Sequence, residues 1–477
     1  MIIASFGVCL LLFVIIGILS TFKNRHTNVD YLLAGHSVKP WLVALSAVAT
    51  NNSGYMFVGM IGYTYAVGLS SIWLMVGWIF GDFLASTFIH KRLRIATEKE
   101  KVLSFSGVLS RWNGTDYRIL RVAGGVITVA FLGTYAAAQL NAGSKALHVL
   151  FGWDYSVGAI IGAVMVLLYC FAGGIRASIW TDAAQSFVMI VAMAILFFVS
   201  VSQVGGIEAF SGALNQISPT YMQLFPSNLY LGDMTGPFLF ILGWVFAGFA
   251  VVGQPHIMVR FMAMDNPKNM GRVRAYYYSW YTLFYALTIG TGLATKLLLP
   301  HVETFDAELA LPTLAQQLLP DVLVGLILAG LFAATMSTAD SQILSCSAAI
   351  TRDFTFGRKQ TYFITKLATV FVTVIALVIA LAGNKSVFSL VLIAWSALAS
   401  AFAPLLTVYA LGGKPSEKLA LSMMMTGLAT MLLWRYWGLS DTIYEVAPGM
   451  VSGLLLFGII RAIEKLNSVS KLTATSL

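Results

Sequence analysis

Apolar runs of about twenty residues recur along almost the whole chain, and they restrict its possible folds more than any other feature. A run of that length is enough for an α-helix to cross the hydrocarbon core of a bilayer. Hydrophobic residues make up 58% of the 477 residues and charged residues only 10%, which is too little polar surface to cover a soluble globule. The sequence therefore predicts an all-α integral membrane protein with about thirteen transmembrane helices.

The positions of the basic residues indicate how these helices are oriented. Lysines and arginines gather in alternate connections, whereas the connections between them, such as 205–234 and the acidic 301–311, have few or none. Basic loops stay on the cytoplasmic side, so the formal net charge of +9 reflects topology rather than affinity for nucleic acid. The pattern places the N-terminus outside and the C-terminus inside a multi-pass protein of the cytoplasmic membrane. The basic connections carry Lys23/Arg25, Lys91/Arg92/Arg94/Lys99/Lys101, Arg176, Lys268/Arg272/Arg274, Arg352/Arg358/Lys359, Lys414/Lys418 and Arg461/Lys465.

Two of the predicted spans contain residues that interrupt a helix. The second span, near 38–63, has Thr50-Asn-Asn-Ser-Gly54 in its middle, and the seventh, near 235–262, has Gly253-Gln-Pro255. Proline removes a helix donor and glycine adds flexibility, so both sequences favour a break that frees backbone groups. The two spans lie five spans apart and cross in opposite directions, as the first helices of an inverted five-helix repeat do.

This repeat divides the chain into five segments. We expect the solute to bind at mid-membrane, between the two broken helices. The segments are a first helix with its cytoplasmic loop (1–37), the first repeat (38–204), an extracellular connection (205–234), the second, inverted repeat (235–411), and two C-terminal helices with a short cytoplasmic tail (412–477).

A stretch rich in side-chain oxygens lies within the ninth predicted span. Ala334, Ser337, Thr338 and Ser341 fall on one stripe of a helix, and Asp340 lies one turn beyond Ser337. Oxygen ligands of this kind are those that a small hard cation such as sodium prefers. Single hydroxyls in membrane helices more often bond back to the preceding turn, so the pattern alone leaves both interpretations open.

Several motifs, found in order along nearly the whole chain, resemble the sodium:solute symporter family and, within it, the bacterial sodium/proline branch. The resemblance implies a leucine-transporter-type fold, and symport by alternating access with sodium as the coupling ion and an amino acid such as proline as the solute. The motifs are Asp30-Tyr-Leu-Leu-Ala-Gly-His-Ser37, Ala44-Leu-Ser-Ala47, Asn51-Asn-Ser-Gly54, Ser178-Ile-Trp-Thr-Asp182, Gly253-Gln-Pro-His-Ile257, Arg260-Phe-Met-Ala263, and Met336-Ser-Thr338 through Ser347-Ala-Ala-Ile-Thr351.

The same resemblance implies two sets of sodium ligands. In the second set, Asp340 stands where the relatives carry serine, which favours either stronger cation binding or replacement of sodium by a proton. The first set is the carbonyls of Ala49, Asn52 and Ala334 with the hydroxyls of Ser337 and Thr338, and the second is Asp182, Ser337, Asp340 and Ser341.

The solute positions that the resemblance implies differ in part from those of the proline branch. Asn51 replaces an aspartate and Tyr55 a tryptophan, while Ala247 and Val251 stand where the branch has tryptophan and tyrosine. The loss of two large rings predicts a wider or reshaped pocket, so a carboxylate or sugar-like solute is the alternative to an amino acid. The full set is Asn51, Ser53, Gly54, Tyr55, Tyr135, Ala247, Val251 and Gln254.

Other functions and roles find less support. Asp182 lies near the cytoplasmic end of its predicted span, so a snorkelling or gate-lining role is an alternative to sodium binding. Asp82 is predicted to pair with Lys91 or Arg94. We find no nucleophile–base pair and no metal-ligand spacing, so we expect neither an enzyme nor an obligate protein partner. A proton-coupled symporter and a solute sensor remain alternatives.

Overall fold

The computed structural model describes residues 1–23, 25–226, 229, 234–299, 306–355, 360–382, 386–441 and 443–474. Within these ranges the chain forms helices and no strand beyond an isolated bridge between Val38 and Met264, so the all-α prediction is confirmed. The predicted acidic loop residues 301–305 and the predicted cytoplasmic residues Arg358 and Lys359 lie outside the described residues.

Eighteen α-helices follow one another along the described chain. They are α1 (Ile2–Leu19), α2 (Asn28–Leu33), α3 (Pro40–Tyr55), α4 (Ile61–Val67), α5 (Ile72–Glu100), α6 (Phe105–Arg111), α7 (Arg118–Phe151), α8 (Tyr155–Val204), α9 (Ile207–Asn215), α10 (Thr235–Phe249), α11 (Pro255–Met262), α12 (Met270–Leu298), α13 (Ala310–Leu318), α14 (Asp321–Ala348), α15 (Tyr362–Ala382), α16 (Val387–Ala410), α17 (Glu417–Tyr436) and α18 (Val446–Ala474).

Nine helical stretches in the described ranges are long and apolar enough to cross a membrane. Two of them, Pro40–Glu100 and Tyr155–Val204, contain 61 and 50 residues, and 50 residues of helix extend roughly 75 Å, more than twice the hydrocarbon thickness. The second of these breaks at Gly174, where φ is 57° and ψ −142°. The membrane-protein class is therefore confirmed, while the count of thirteen crossings, their orientation and the repeat boundaries stay predictions.

The helix α3 is interrupted at the position that the sequence predicts. Ser53, inside α3, has φ 44° and ψ 179°, a backbone conformation that is uncommon for a residue other than glycine. The backbone N–H of Gly54 donates to Oε1 of Gln139 at 2.8 Å, and that of Tyr55 donates to the Ser53 hydroxyl at 3.1 Å. Side chains thus satisfy the donors that the break leaves free, as a membrane interior requires.

The second interruption separates α10 from α11. A 3₁₀ turn at Ala250–Gly253 is followed by Gln254 with φ −99° and ψ 99°, and Pro255 then begins α11. Proline is well placed there because the first helical N–H has no helical partner. A Cβ at Gly253 would lie 2.8 Å from Cα of Ala399, so this glycine lets the turn pack closely against α16.

The middle of the molecule is formed by α14. This helix packs against α1, α3, α7 and α8, and its residues from Gly330 to Ser345 are all buried. The hydroxyls and the carboxylate of the predicted stripe therefore face neighbouring helices rather than lipid. By contrast, α1 and α15 expose large apolar side chains such as Leu11 and Phe371, as helices at the lipid boundary do.

Close backbone packing of α10 on α5 makes Gly248 sensitive to substitution. A Cβ at this position would lie 2.0 Å from the Trp78 carbonyl oxygen and 2.6 Å from its Cα. Forcing atoms into a packed interior costs about 1–3 kcal/mol, and more where backbone must move. We expect Gly248→Ala to lower the apparent unfolding temperature of the detergent-solubilised protein, measured by tryptophan fluorescence. Gly7→Ala is the matched control, because a Cβ there meets nothing within 4 Å; equal effects of the two changes would contradict the packing argument.

Candidate functional site

A cluster of oxygens lies where the broken helix α3 meets α14. The Ser337 hydroxyl lies 3.2 Å from the carbonyl oxygen of Ala49 and 3.1 Å from that of Ala334. The Thr338 hydroxyl lies 2.9 Å from the carbonyl oxygen of Thr50 and 3.1 Å from the same Ala334 oxygen. All of these residues have no exposed surface. The structure thus brings together four of the five positions predicted for the first sodium.

Asn52, the fifth predicted position, lies on the neighbouring turn of α3. Its carbonyl oxygen accepts the backbone N–H of Met56, and its side-chain amide donates to the Val48 carbonyl at 2.7 Å. Its Oδ1 is buried and has no hydrogen-bond partner among the described residues. Neutral carbonyl and hydroxyl oxygens held this closely suit a small hard cation, so the residues present fit sodium.

A charged cluster lies next to these oxygens. The Nη2 atom of Arg260 lies 3.2 Å from Oδ2 of Asp182 and 3.6 Å from Oδ1 of Asp340. The same nitrogen donates to the hydroxyl of Ser178 at 2.7 Å and to that of Ser341. All five side chains are buried, so the alternative in which Asp182 snorkels to the membrane surface is wrong.

The four positions predicted for a second sodium are close together in this cluster. The Ser341 hydroxyl lies 2.7 Å from Oδ1 of Asp340 and 2.5 Å from the Ser337 carbonyl oxygen. Asp182 is joined to Asp340 through Ser178, whose hydroxyl lies 2.9 Å from Asp340. The sequence prediction missed Arg260, although an arginine inside a predicted span is a signal in itself, since a buried charge in a membrane needs a partner.

The solute positions on α3 are in contact with α12 and with aromatic rings. The side-chain amide of Asn51 donates to the hydroxyls of Tyr277, at 2.6 Å, and Tyr281, at 3.3 Å, while its Oδ1 has no partner in the described part of the chain. Tyr55 stacks on Phe388, with ring centroids 5.5 Å apart. These contacts leave the side-chain oxygen Oδ1 of Asn51 as a buried acceptor beside the break in α3.

The remaining predicted solute positions lie around the second break and on α7. The side chain of Tyr135 lies close to that of Ser53, which places Tyr135 beside the first break. The indole Nε1 of Trp395 donates to the Ala247 carbonyl at 3.1 Å, and Nε2 of Gln254 donates to the Trp395 carbonyl at 3.0 Å. The missing ring at Ala247 predicts a wider or reshaped pocket, and in the structure Trp395 from α16 packs against the Ala247 backbone. Val251 is buried in the turn that precedes Gln254.

Asp82, on α5, pairs with tyrosines and not with the predicted Lys91 or Arg94. The hydroxyl of Tyr277 donates to Oδ2 of Asp82 at 2.8 Å, and that of Tyr278 donates to Oδ1 at 3.0 Å. Arg94 instead donates to the Met264 carbonyl at 2.6 Å and to Glu98. The predicted pairing with Lys91 or Arg94 is wrong. Opposite charge and a short distance along the chain favour those residues, whereas the packing of α12 against α5 brings tyrosines to Asp82.

The three residues Asn51, Tyr277 and Asp82 therefore form a continuous hydrogen-bonded series, which we name the Asp82 relay. Each member is buried, and Tyr277 both accepts from Asn51 and donates to Asp82. The carboxyl group of Asp82 thus lies two hydrogen bonds away from a predicted solute position.

Comparisons with known proteins agree with this architecture. The family model for the sodium:solute symporter family matches residues 31–427. Similar proteins include the high-affinity proline transporter PutP of Bacillus subtilis (strain 168), 29% identical over 91% of this chain and 92% of that protein. Another is a sodium/proline symporter of Staphylococcus aureus, 28% identical over 93% of this chain and 89% of that protein.

Solved structures support the leucine-transporter-type fold. A sodium-coupled sialic acid symporter in a substrate-bound outward-open state aligns with a TM-score of 0.79 at 20% identity, covering 95% of this chain and 96% of that one. MhsT in complex with L-phenylalanine aligns with a TM-score of 0.58 at 14% identity, and the alignment covers 88% of this chain and 98% of that one. The fold, the match to the family model and the cluster of oxygens lead to one conclusion: this chain belongs to the sodium:solute symporter family and is a multi-pass transporter of the cytoplasmic membrane with sodium as its coupling ion.

Proposed function

We propose that this protein uses the inward sodium gradient to import an amino acid, with proline as the first candidate. The observation that carries the proposal is the contact of the broken helix with α14, where the Ser337 and Thr338 hydroxyls meet the carbonyls of Ala49, Thr50 and Ala334. In this proposal the first sodium binds at Ala49, Asn52, Ala334, Ser337 and Thr338.

The position of this site explains how sodium affects the solute. Ala49 and Thr50 directly precede the turn 51–54, which carries several of the predicted solute contacts. A sodium ion that holds α3 against α14 also fixes that turn, so it favours solute binding, and by linkage the solute raises sodium affinity by the same factor. One charge that moves across the membrane contributes about 2.3 kcal/mol per 100 mV, which supports accumulation of the solute.

The Asp82 relay favours a solute that carries an ammonium group. The free Oδ1 of Asn51 is suited to accept an N–H, and the amide that bears it is bonded through Tyr277 to the Asp82 carboxylate. A negative charge in a buried region favours a cation nearby. An amino acid meets this requirement, whereas a simple carboxylate or a sugar does not. The names of the similar PutP and sodium/proline symporters support proline in particular.

The remaining predicted positions complete the proposed solute site. We assign to it Asn51, Ser53, Gly54, Tyr55, Tyr135, Ala247, Val251 and Gln254, which lie at the two helix breaks or, for Tyr135, on the helix α7 beside the first one. The solute crosses unchanged, so we propose no enzymatic step. Sodium, the solute and the lipid bilayer are the required partners, and no obligate protein partner is part of the proposal.

Uptake of radiolabelled proline into proteoliposomes tests the proposal. We expect accumulation with an inward sodium gradient, none with an equal potassium gradient, and loss of the accumulated proline when a sodium ionophore is added. Uptake driven by a pH gradient without sodium would contradict sodium coupling. Sodium-dependent thermal stabilisation by another solute, without proline uptake, would reject proline and keep sodium coupling.

A further inference from the structure

The positions that resemble a second sodium site surround a cation supplied by the chain itself. Nη2 of Arg260 directly contacts Asp182, Asp340 and Ser341, three of the four predicted ligands. The fourth, Ser337, is joined to them because the Ser341 hydroxyl bonds to its carbonyl oxygen. The residues present therefore fit a guanidinium group, which occupies the centre of the predicted ligand set.

We propose that Arg260 takes the place of a second sodium ion, so that the protein binds one sodium and transports one sodium per solute. The statement on transport rests on the function proposed above, whereas the number of bound ions does not depend on the identity of the solute.

The guanidinium group is held from several sides. Its Nε donates to the Ser46 hydroxyl at 3.2 Å and its Nη1 donates to the His256 carbonyl at 2.8 Å, in addition to the contacts of Nη2. Each of its three nitrogens thus has an acceptor, and the side chain has no exposed surface. A buried arginine with this many directed hydrogen bonds is a fixed part of the site.

Charge also excludes a second ion from this space. A sodium ion bound by Asp182, Asp340 and Ser341 would lie against Arg260 Nη2, because that nitrogen already contacts all three residues. A sodium ion and a guanidinium group in direct contact in a buried region repel each other strongly, because both are positively charged.

The acidic cluster adjoins the first sodium site instead. Asp182 and Asp340 place two carboxyl groups against the one guanidinium group of Arg260, and one oxygen of each carboxyl has no hydrogen-bond partner within the described ranges. The Ser341 hydroxyl, which bonds to Asp340, lies 3.3 Å from the Thr50 hydroxyl at the edge of the first site. Oxygen-rich surroundings of this kind favour one cation at the first site.

Counting bound sodium tests the inference directly. The full-length protein is purified in detergent and its binding of ²²Na⁺ is measured by scintillation proximity. We expect one ion per chain and a Hill coefficient of about 1. Two ions per chain, or a Hill coefficient near 2, would overturn the inference, and so would the absence of sodium binding.

Removing the guanidinium should create the missing site. In Arg260→Gln the carboxylates of Asp182 and Asp340 have lost their positive partner, so we expect the number of bound ²²Na⁺ ions to rise to two. Arg176→Gln is the matched control, because Arg176 is also a buried arginine bonded to an aspartate, Asp30, outside this cluster; its count should stay at one. A folded Arg260→Gln variant that still binds one ion would overturn the inference.

A second variant covers the case in which Arg260→Gln does not fold. Asp340→Ser keeps the Arg260–Asp182 pair but removes the carboxyl group that bonds to Ser341 at the edge of the first site, so we expect one ion bound with at least about tenfold weaker affinity; two bound ions would overturn the inference. If the protein binds one sodium ion per chain but shows no sodium-driven proline uptake, this inference is kept and proline is rejected. Sodium-driven proline uptake with two bound ions would reject only this inference.

Discussion

Removing both hydroxyls at the contact of α3 and α14, in Ser337→Ala/Thr338→Ala, should raise the sodium concentration for half-maximal uptake by at least about 100-fold. Loss of a residue that only supports a metal ligand costs roughly 10- to 100-fold in affinity, and this variant loses two proposed direct ligands. The two hydroxyls also bridge to the carbonyls of Ala49 and Thr50, so the change weakens the attachment of the solute turn to α14. Initial uptake rates over a range of sodium concentrations measure the effect.

Two further variants separate sodium binding from general damage to α14. Ser345→Ala removes a buried hydroxyl from the same helix, and that hydroxyl has no hydrogen-bond partner in the part of the chain described; the sodium dependence should be unchanged. Thr338→Ser keeps the hydroxyl and should behave almost as the unmodified protein does. An unchanged sodium dependence in the double alanine variant would reject the assignment of Ser337 and Thr338.

Features that depend on local sequence could be predicted. The break in α3 follows from Thr50-Asn-Asn-Ser-Gly54, whose residues favour turns and supply their own hydrogen bonds, as the contact of the Ser53 hydroxyl with the Tyr55 N–H shows. The second break follows from Gly253 and Pro255, because glycine adds flexibility and proline removes a helix donor. The oxygen stripe on α14 depends only on the spacing of residues along one helix, so the sequence predicts it as well.

Contacts between distant helices could not be predicted. Arg260 lies 78 residues from Asp182 and 80 from Asp340 along the chain, and only the packing of α11 against α14 and α3 brings it into the predicted sodium set. Trp395 likewise reaches Ala247 from α16. A sequence pattern places a residue on a face of its own helix but does not say which other helix covers that face.

The contacts of Asp82 with α12 also could not be predicted from the sequence, and they lead to the second prediction with a large effect. Replacing its carboxylate with an amide, in Asp82→Asn, should weaken proline binding about 10- to 100-fold. The change removes the carboxyl group of the Asp82 relay and places an amide donor beside the hydroxyls of Tyr277 and Tyr278, which both donate to Asp82. Hydrogen bonds to charged groups contribute about 1.5–3 kcal/mol, and 1.4 kcal/mol corresponds to a factor of ten. The KM for proline at saturating sodium measures the effect.

Variants that each remove one tyrosine hydroxyl show which contact of the Asp82 relay raises the KM for proline. Tyr277→Phe cuts the connection between Asn51 and Asp82, so it should raise the KM about as much as Asp82→Asn, and the double variant should be no worse than either change alone, because both remove the same interaction. Tyr278→Phe leaves that connection intact and should have a smaller effect.

The charge argument has its own test in a solute without an amine. Cyclopentanecarboxylate retains the ring and carboxylate of proline but offers no N–H to Asn51, so it should compete weakly with proline in the unmodified protein and equally weakly in Asp82→Asn. If Asp82→Asn weakens this analogue as much as it weakens proline, the carboxylate of Asp82 supports the fold of the site rather than the ammonium group of the solute. A proline-selective loss would instead identify Asp82 as the residue that compensates, from α5, for the aspartate that Asn51 replaces on α3.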